Sequence, residues 1–196
     1  GNDLLYFWGH DPATRVILLY LESFGNPKKF SRIARRVSRE KPIVVLKSGT
    51  SQAGARAASS HTGALAASNV VVETLLEQAG IVRTETMEQF FHAAKVLSTQ
   101  PLPAGGRLGI LTNAGGPGIL SADRAEREGL SVPRLSAELQ AELRPHLAAS
   151  ASTLNPVDMI ASAPAEQYEA CLRRLLASAE VDLVLGNAEK SEAGAY

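Results

Sequence analysis

Lys47-Ser48-Gly49-Thr50-Ser51-Gln52-Ala53-Gly54-Ala55-Arg56-Ala57-Ala58-Ser59-Ser60-His61-Thr62-Gly63-Ala64-Leu65-Ala66 is the stretch on which the reading of this chain turns. Before it, Pro42-Ile43-Val44-Val45-Leu46 is an apolar, β-branched run, the pattern of a buried strand. After it, Ala64 to Gln78 is rich in Ala, Leu and Val and predicts a helix. The stretch therefore reads as a loop handing a parallel strand over to a helix, on the side of an open α/β sheet where ligands bind. Its small residues let backbone N–H groups approach an anion. His61 is the exception in size and chemistry. Taken alone, it is open to four readings: metal ligand, proton carrier, phosphoryl acceptor, or a loop histidine with no task.

Composition narrows the classes. The chain has 196 residues, 45% of them apolar, and 20 basic against 20 acidic side chains. That length allows one large domain or two small ones, each with a real core. Balanced charge gives no electrostatic footprint for nucleic acid or an anionic membrane. No apolar run is long enough to span a bilayer, and no signal-peptide layout opens the chain. The single cysteine, Cys171, excludes an internal disulfide and any Cys/His zinc cluster, so no metal ligands are assigned. It lies in a helical pattern and reads as a buried structural thiol. The expectation is a soluble, cytoplasmic α/β protein.

Working outward, Leu4 to Trp8 reads as the apolar end of a helix, and Arg15–Leu21 as a fully buried strand. Glu22 follows at its tip, where a carboxylate can face a ligand crevice. Asn26-Pro27 caps a basic helix running to Glu40, whose charge run reads as a solvated face. Ala79–Arg83 supplies a helix stop and a short strand. Thr86-Met87-Glu88-Gln89 opens a helix through Leu97, which carries His92. Gln100–Gly106, with two prolines and two glycines in seven residues, is the best linker in the chain. The domains are accordingly placed at 1–100 and 104–186, with a tail at 187–196.

Beyond the linker the pattern restarts. A strand at Arg107–Leu111 leads to the turn Thr112-Asn113-Ala114-Gly115-Gly116-Pro117-Gly118 and a helix over Ile119–Glu128. A glycine-rich helix start offers unpaired N–H groups and a positive dipole end to an anion. Its spacing is neither the dinucleotide fingerprint nor a Walker A loop. Ser131–Pro133 is strand-like, Ala137–Leu147 a helix ending in His146, Asn155-Pro156-Val157-Asp158 a turn into an extended stretch, Pro164–Leu176 a helix, and Val181–Leu185 a final buried strand.

The segment from Lys47 to Ala66 resembles the phosphohistidine segment of ADP-forming (NDP-forming) acyl-CoA synthetases, relatives of succinyl-CoA synthetase. Thr112–Gly118 resembles the start of a "power helix" in their second flavodoxin-like domain, and Asn155–Asp158 is similar to another signature of the family. The resemblance runs from about Arg15 to Leu185. It implies two flavodoxin-like, three-layer α/β domains with parallel sheets, the first truncated at its N-terminus. It implies that His61 accepts a phosphoryl group from an acyl phosphate and passes it to ADP, and that Glu22 orients the His61 ring. Gly115, Gly116, Gly118 and Asn113, with Ser60, Thr62 and Gly63, would bind the phosphate. The cofactors implied are CoA, ATP or ADP with Mg2+, and phosphate.

The family reaction, acyl acid + ATP + CoA ⇌ acyl-CoA + ADP + phosphate, also uses a CoA-binding domain and an ATP-grasp domain that this sequence lacks. Partners are therefore expected in those domains or in a further subunit, within a homo- or hetero-oligomer. The Gly115–Gly118 helix start is expected to pair with His61, from the same chain or a second copy. A second reading is the ligand-sensing region of a protein lysine acetyltransferase built on synthetase-like domains. An intact His61 and Glu22 favour the synthetase, because a sensor needs no nucleophile.

Overall fold

The computed structural model describes residues 1–62 and 69–189, with the side chains of 58–62 outside that description. The chain divides into two compact units, 1–102 and 103–196. In the first, helix α1 (Asn2–His10) precedes strand β1 (Ile17–Leu21), α2 (Pro27–Val37), β2 (Ile43–Lys47), α3 (Gln52–Thr62), α4 (Asn69–Gln78), β3 (Val82–Thr84) and α5 (Met87–Thr99). The strands form a parallel sheet in the order β1-β2-β3, with Ile17 opposite Ile43 and Val44 opposite Val82.

Alternation along β2 explains the layers. Ile43 and Val45 face Phe30, Ile33 and Val37 of α2, and Val72 and Leu76 of α4. Val44 and Leu46 face Phe90 of α5 on the other side. The strand is buried on both faces, which is why it reads as an unbroken apolar run. Strand β1 reads the same way in sequence but lies at the sheet edge, with Leu18 and Tyr20 exposed. Apolar composition reports two possible faces, not that both are covered.

Helix ends follow local chemistry. The Asn26 side chain accepts the Lys29 N–H at 2.9 Å, and Pro27 occupies the first turn of α2. Thr86 caps α5 by accepting the Gln89 N–H at 3.1 Å. The Gln89 side chain reaches back to the N–H of Glu85 at 2.9 Å, a capping box displaced by one residue.

The second unit contains β4 (Leu108–Thr112), α6 (Gly115–Arg127), α7 (Ala137–Leu143) with a 3-10 turn at Arg144–His146, β5 (Val157–Asp158), α8 (Ala165–Ala177) and β6 (Leu183–Asn187). Its parallel sheet runs β5-β4-β6. Leu111 and Val157 pack with Leu139 and Leu143 of α7 and Cys171 and Leu175 of α8. Leu108 and Ile110 pack on Ala125 of α6. Cys171 is fully buried, and burial pushes its thiol pKa up, so the thiol is structural.

Four expectations need correcting. The loop expected from Lys47 to Ala66 is helical from Gln52 to Thr62; four alanines in seven residues supply the helix propensity that smallness had disguised as a loop. The helix expected from Ala64 is not one of these: it is described from Asn69, and residues 63–68 lie outside the described residues. The helix expected from Ile119 starts at Gly115, so the glycines form its first turn. Ser131–Pro133 makes only a single bridge, Arg107 to Ser131, and β6 is an edge strand with Leu185 exposed.

Candidate functional site

In the first unit the tips of β1 and β2 are tied together. The Ser48 N–H donates to the Leu21 carbonyl at 3.0 Å. The Lys47 ammonium donates to the Glu22 carbonyl at 2.8 Å and to the Ser48 carbonyl. Burial holds the Lys47 pKa below its usual value, against the pull of the Glu22 charge. Glu22 is exposed, and among the described residues its carboxylate accepts no hydrogen bond, leaving it available to a ring N–H.

The chain then turns through Gly49, whose φ of +71° suits glycine. The Ser51 hydroxyl accepts the Gly54 N–H at 3.0 Å and starts α3. A Cβ on Gly54 would lie 3.2 Å from the Gly49 Cα, so two glycines let this turn close on itself. Ser60, His61 and Thr62 end α3, their side chains outside the description together with Gly63.

In the second unit β4 leads into α6 through two residues, Asn113 and Ala114. The Thr112 hydroxyl accepts the Ala114 N–H at 3.0 Å and donates to the Ala114 carbonyl at 2.8 Å, which fixes the bend. Ala114 precedes the helix without a side-chain cap, so the N–H groups of Gly115 and Gly116 have no partner among the described residues. Gly118 sits against β4: a Cβ there would lie 2.8 Å from the Thr112 Cγ2.

Asn113 is committed elsewhere. Its amide donates to the Glu189 carbonyl at 3.0 Å and accepts the Glu189 N–H at 2.9 Å, and its backbone N–H faces the Tyr168 oxygen, so the predicted phosphate ligand is engaged by the protein itself.

Asp158 comes alongside from the tip of β5. One oxygen accepts the Ile160 N–H at 3.0 Å, and the other lies 3.1 Å from where a Gly115 Cβ would be. Ile160 adopts φ +62°, a left-handed conformation that a β-branched residue rarely takes. Tyr168 closes this group by donating to the Asn187 carbonyl at 2.7 Å. Burial pushes its pKa up, with the Asp158 charge adding to the shift.

Sequence reading missed Lys47, Tyr168 and the strain at Ile160. Asp158 was within reach, since it ends the Asn155–Asp158 stretch already quoted as a motif. That stretch has a structural task too. The Asn155 side chain donates to the carbonyls of Leu108 and Pro133 at 2.7 and 3.0 Å and accepts the Ile110 N–H at 2.9 Å, holding its loop to β4. Among the described residues no three His, Cys, Asp or Glu side chains are placed to hold a metal ion, and no helix is long and apolar enough to cross a membrane.

Comparison with known proteins gives the family of this architecture. Residues 1–97 match the succinyl-CoA ligase like flavodoxin domain, and residues 108–189 match the Ligase-CoA domain. The chain belongs to the ADP-forming acyl-CoA synthetase family. It is 39% identical over 183 residues to the alpha subunit of the ADP-forming acetate–CoA ligase II of Pyrococcus furiosus, covering 93% of this chain and 40% of that subunit. It is also 39% identical to the ADP-forming acetate–CoA ligase I of Archaeoglobus fulgidus, covering 94% of this chain and 27% of that protein. The dinucleotide-forming acetyl-coenzyme A synthetase 1 of Ca. Korarchaeum cryptofilum, solved in complex with phosphate and ADP, superposes with a TM-score of 0.90 at 37% identity. That match covers 97% of this chain and 42% of the other. This synthetase-family chain thus spans well under half the length of these relatives.

Proposed function

We propose that this chain carries the phosphoryl-relay part of an ADP-forming acyl-CoA synthetase. The observation that carries the reading is the likeness, along nearly the whole chain, to a synthetase whose structure holds phosphate and ADP. His61 takes the phosphoryl group from an acyl phosphate, releasing the acid, and gives it to ADP; the reverse sequence activates the acid at the expense of ATP. A neutral imidazole nitrogen is the nucleophile, and a carboxylate on its other nitrogen fixes the tautomer.

Glu22 fits that second role by its place at the β1 tip and its unengaged carboxylate. Lys47 is a positioning residue, since its ammonium holds the Glu22 backbone. The free N–H groups at the start of α6 fit a phosphate oxygen. Among the described residues no group of three His, Cys, Asp or Glu would hold a metal by itself. Nucleotide with its Mg2+ and most CoA contacts are assigned, as the family resemblance implies, to parts of the parent enzyme beyond this chain. The relatives described above are ligases, which favours this reading over an acetyltransferase regulatory region.

The test is acyl-CoA formation by the full-length parent with acetate, ATP, Mg2+ and CoA. His61→Ala should lower turnover by at least about 10³-fold, the scale of removing a covalent nucleophile. Turnover within a few-fold of wild type would contradict the relay.

A further inference from the structure

The segments that build the socket at the start of α6 carry no cation. Thr112 to Ser121 and Asn155 to Pro164 contain no lysine, arginine or histidine, and their one ionisable side chain is Asp158. A phosphate held there meets a carboxylate where a basic side chain is the usual partner.

The sheet brings that carboxylate to the joint. Leu111 and Val157 face α7 and α8, so the next residues, the register partners Thr112 and Asp158, face α6. One Asp158 oxygen accepts the Ile160 N–H at 3.0 Å. The other accepts no hydrogen bond among the described residues and lies 3.1 Å from where a Gly115 Cβ would be. An aspartate beside a helix start ordinarily accepts its N–H groups. Here no side chain caps α6, and the free oxygen and the N–H groups of Gly115 and Gly116 are left open together.

The other polar side chains of the joint are spent. The Thr112 hydroxyl donates to the Ala114 carbonyl, the Tyr168 hydroxyl to the Asn187 carbonyl, and the Asn113 amide to the Glu189 carbonyl. Two N–H donors and one carboxylate acceptor remain. An oxyanion that carries a proton satisfies both. The N–H groups alone would hold phosphate or sulfate alike. An ionised carboxylate only accepts, so it repels a bare oxyanion oxygen and bonds an O–H. Inorganic phosphate keeps a proton at neutral pH, and sulfate has none.

Resting on the reading of α6 as the phosphate socket, we propose that Asp158 is its specificity-determining residue, accepting the O–H of hydrogen phosphate and turning away unprotonated oxyanions such as sulfate. Gly115 keeps the carboxylate in place, because a methyl there would press on its free oxygen.

The full-length parent enzyme, run from acetyl-CoA, ADP and phosphate towards ATP, tests this through the KM for phosphate and the inhibition constant for sulfate as competitor. Wild type should favour phosphate over sulfate by about tenfold or more, the scale of a hydrogen bond to a charged group. Asp158→Asn keeps an oxygen for the Ile160 N–H and replaces the charge with an amide that also donates. Its KM for phosphate should rise about tenfold, while the sulfate constant stays level or falls. Gly115→Ala, with Asp158 intact, should shift the preference the same way by a smaller factor. A merely structural role would weaken both anions equally, and that result in both variants overturns the proposal. So does a wild type that binds sulfate as well as phosphate. A wild type without phosphate-dependent turnover overturns the relay and this proposal together. Phosphorylated His61 with an unaltered anion preference in Asp158→Asn overturns this one alone.

Discussion

Both units rest on a three-stranded parallel sheet, its central strand second in chain order in one and first in the other, and they contrast at the joint where that strand hands over to a helix. In the first, four residues from Ser48 to Ser51 separate β2 from α3, and the Ser51 hydroxyl takes an N–H of the new helix. In the second, two residues separate β4 from α6, and Ala114 offers no side chain to cap it. A capped start has spent part of its capacity to bind an anion, whereas an uncapped one keeps it. The joints therefore differ in what each can offer: the first starts a helix that carries His61 near its end, and the second leaves N–H groups open to an anion. Their carboxylates follow the same division. Glu22 is exposed and among the described residues accepts no hydrogen bond on its carboxylate, while Asp158 is half-buried and held by the Ile160 N–H.

Substitutions at the second joint can break this comparison. The largest effect is expected from Asn155→Ala, which removes three hydrogen bonds that tie the motif loop to β4. It should cost about 2–3 kcal/mol in urea unfolding, because the backbone groups of Leu108 and Ile110 lose buried partners; a loss below about 0.5 kcal/mol would mean that water replaces them. Gly118→Ala comes next. Its methyl would press on the Thr112 Cγ2, so α6 must move off the sheet, at about 1–3 kcal/mol by the same measurement.

Acid should separate the joint from the far end of the same sheet. Arg107 holds Asp182 through its side chain and backbone N–H, lowering the carboxyl pKa to about 2. A depressed folded-state pKa gives stability that is present above the ordinary carboxyl range and is lost as pH falls towards 2. Asp182→Asn should remove that acid-dependent loss from the unfolding profile; unchanged pH dependence would show that other groups govern it. The smallest effect belongs to Gly116→Ala. Nothing lies within 4 Å of the added methyl, so stability should stay level or rise by up to about 1 kcal/mol.

Much of this architecture is legible in the sequence. The β2 and β4 runs declared themselves because central parallel strands are apolar on both faces, and Asn26-Pro27 and Thr86–Gln89 announced their helices through side chains that satisfy N–H groups locally. The edge position of β1 was not legible, since Leu18 and Tyr20 are as apolar as residues that a helix covers. Helix α3 was hidden because alanine, serine and glycine suit a tight loop and a packed helix alike. Lys47 and Tyr168 escaped notice because their partners are backbone carbonyls distant in sequence, which no local pattern encodes.

The central claim is that His61 becomes phosphorylated, and the most direct measurement is the label itself. The full-length parent enzyme, wild type and His61→Ala, would be incubated with γ-labelled ATP and Mg2+, and the protein-bound label tested in acid and in base. Label that is acid-labile, base-stable and absent from His61→Ala is the predicted result. A wild type that binds ATP yet takes up no such label, or a His61→Ala variant that keeps it, would contradict the account.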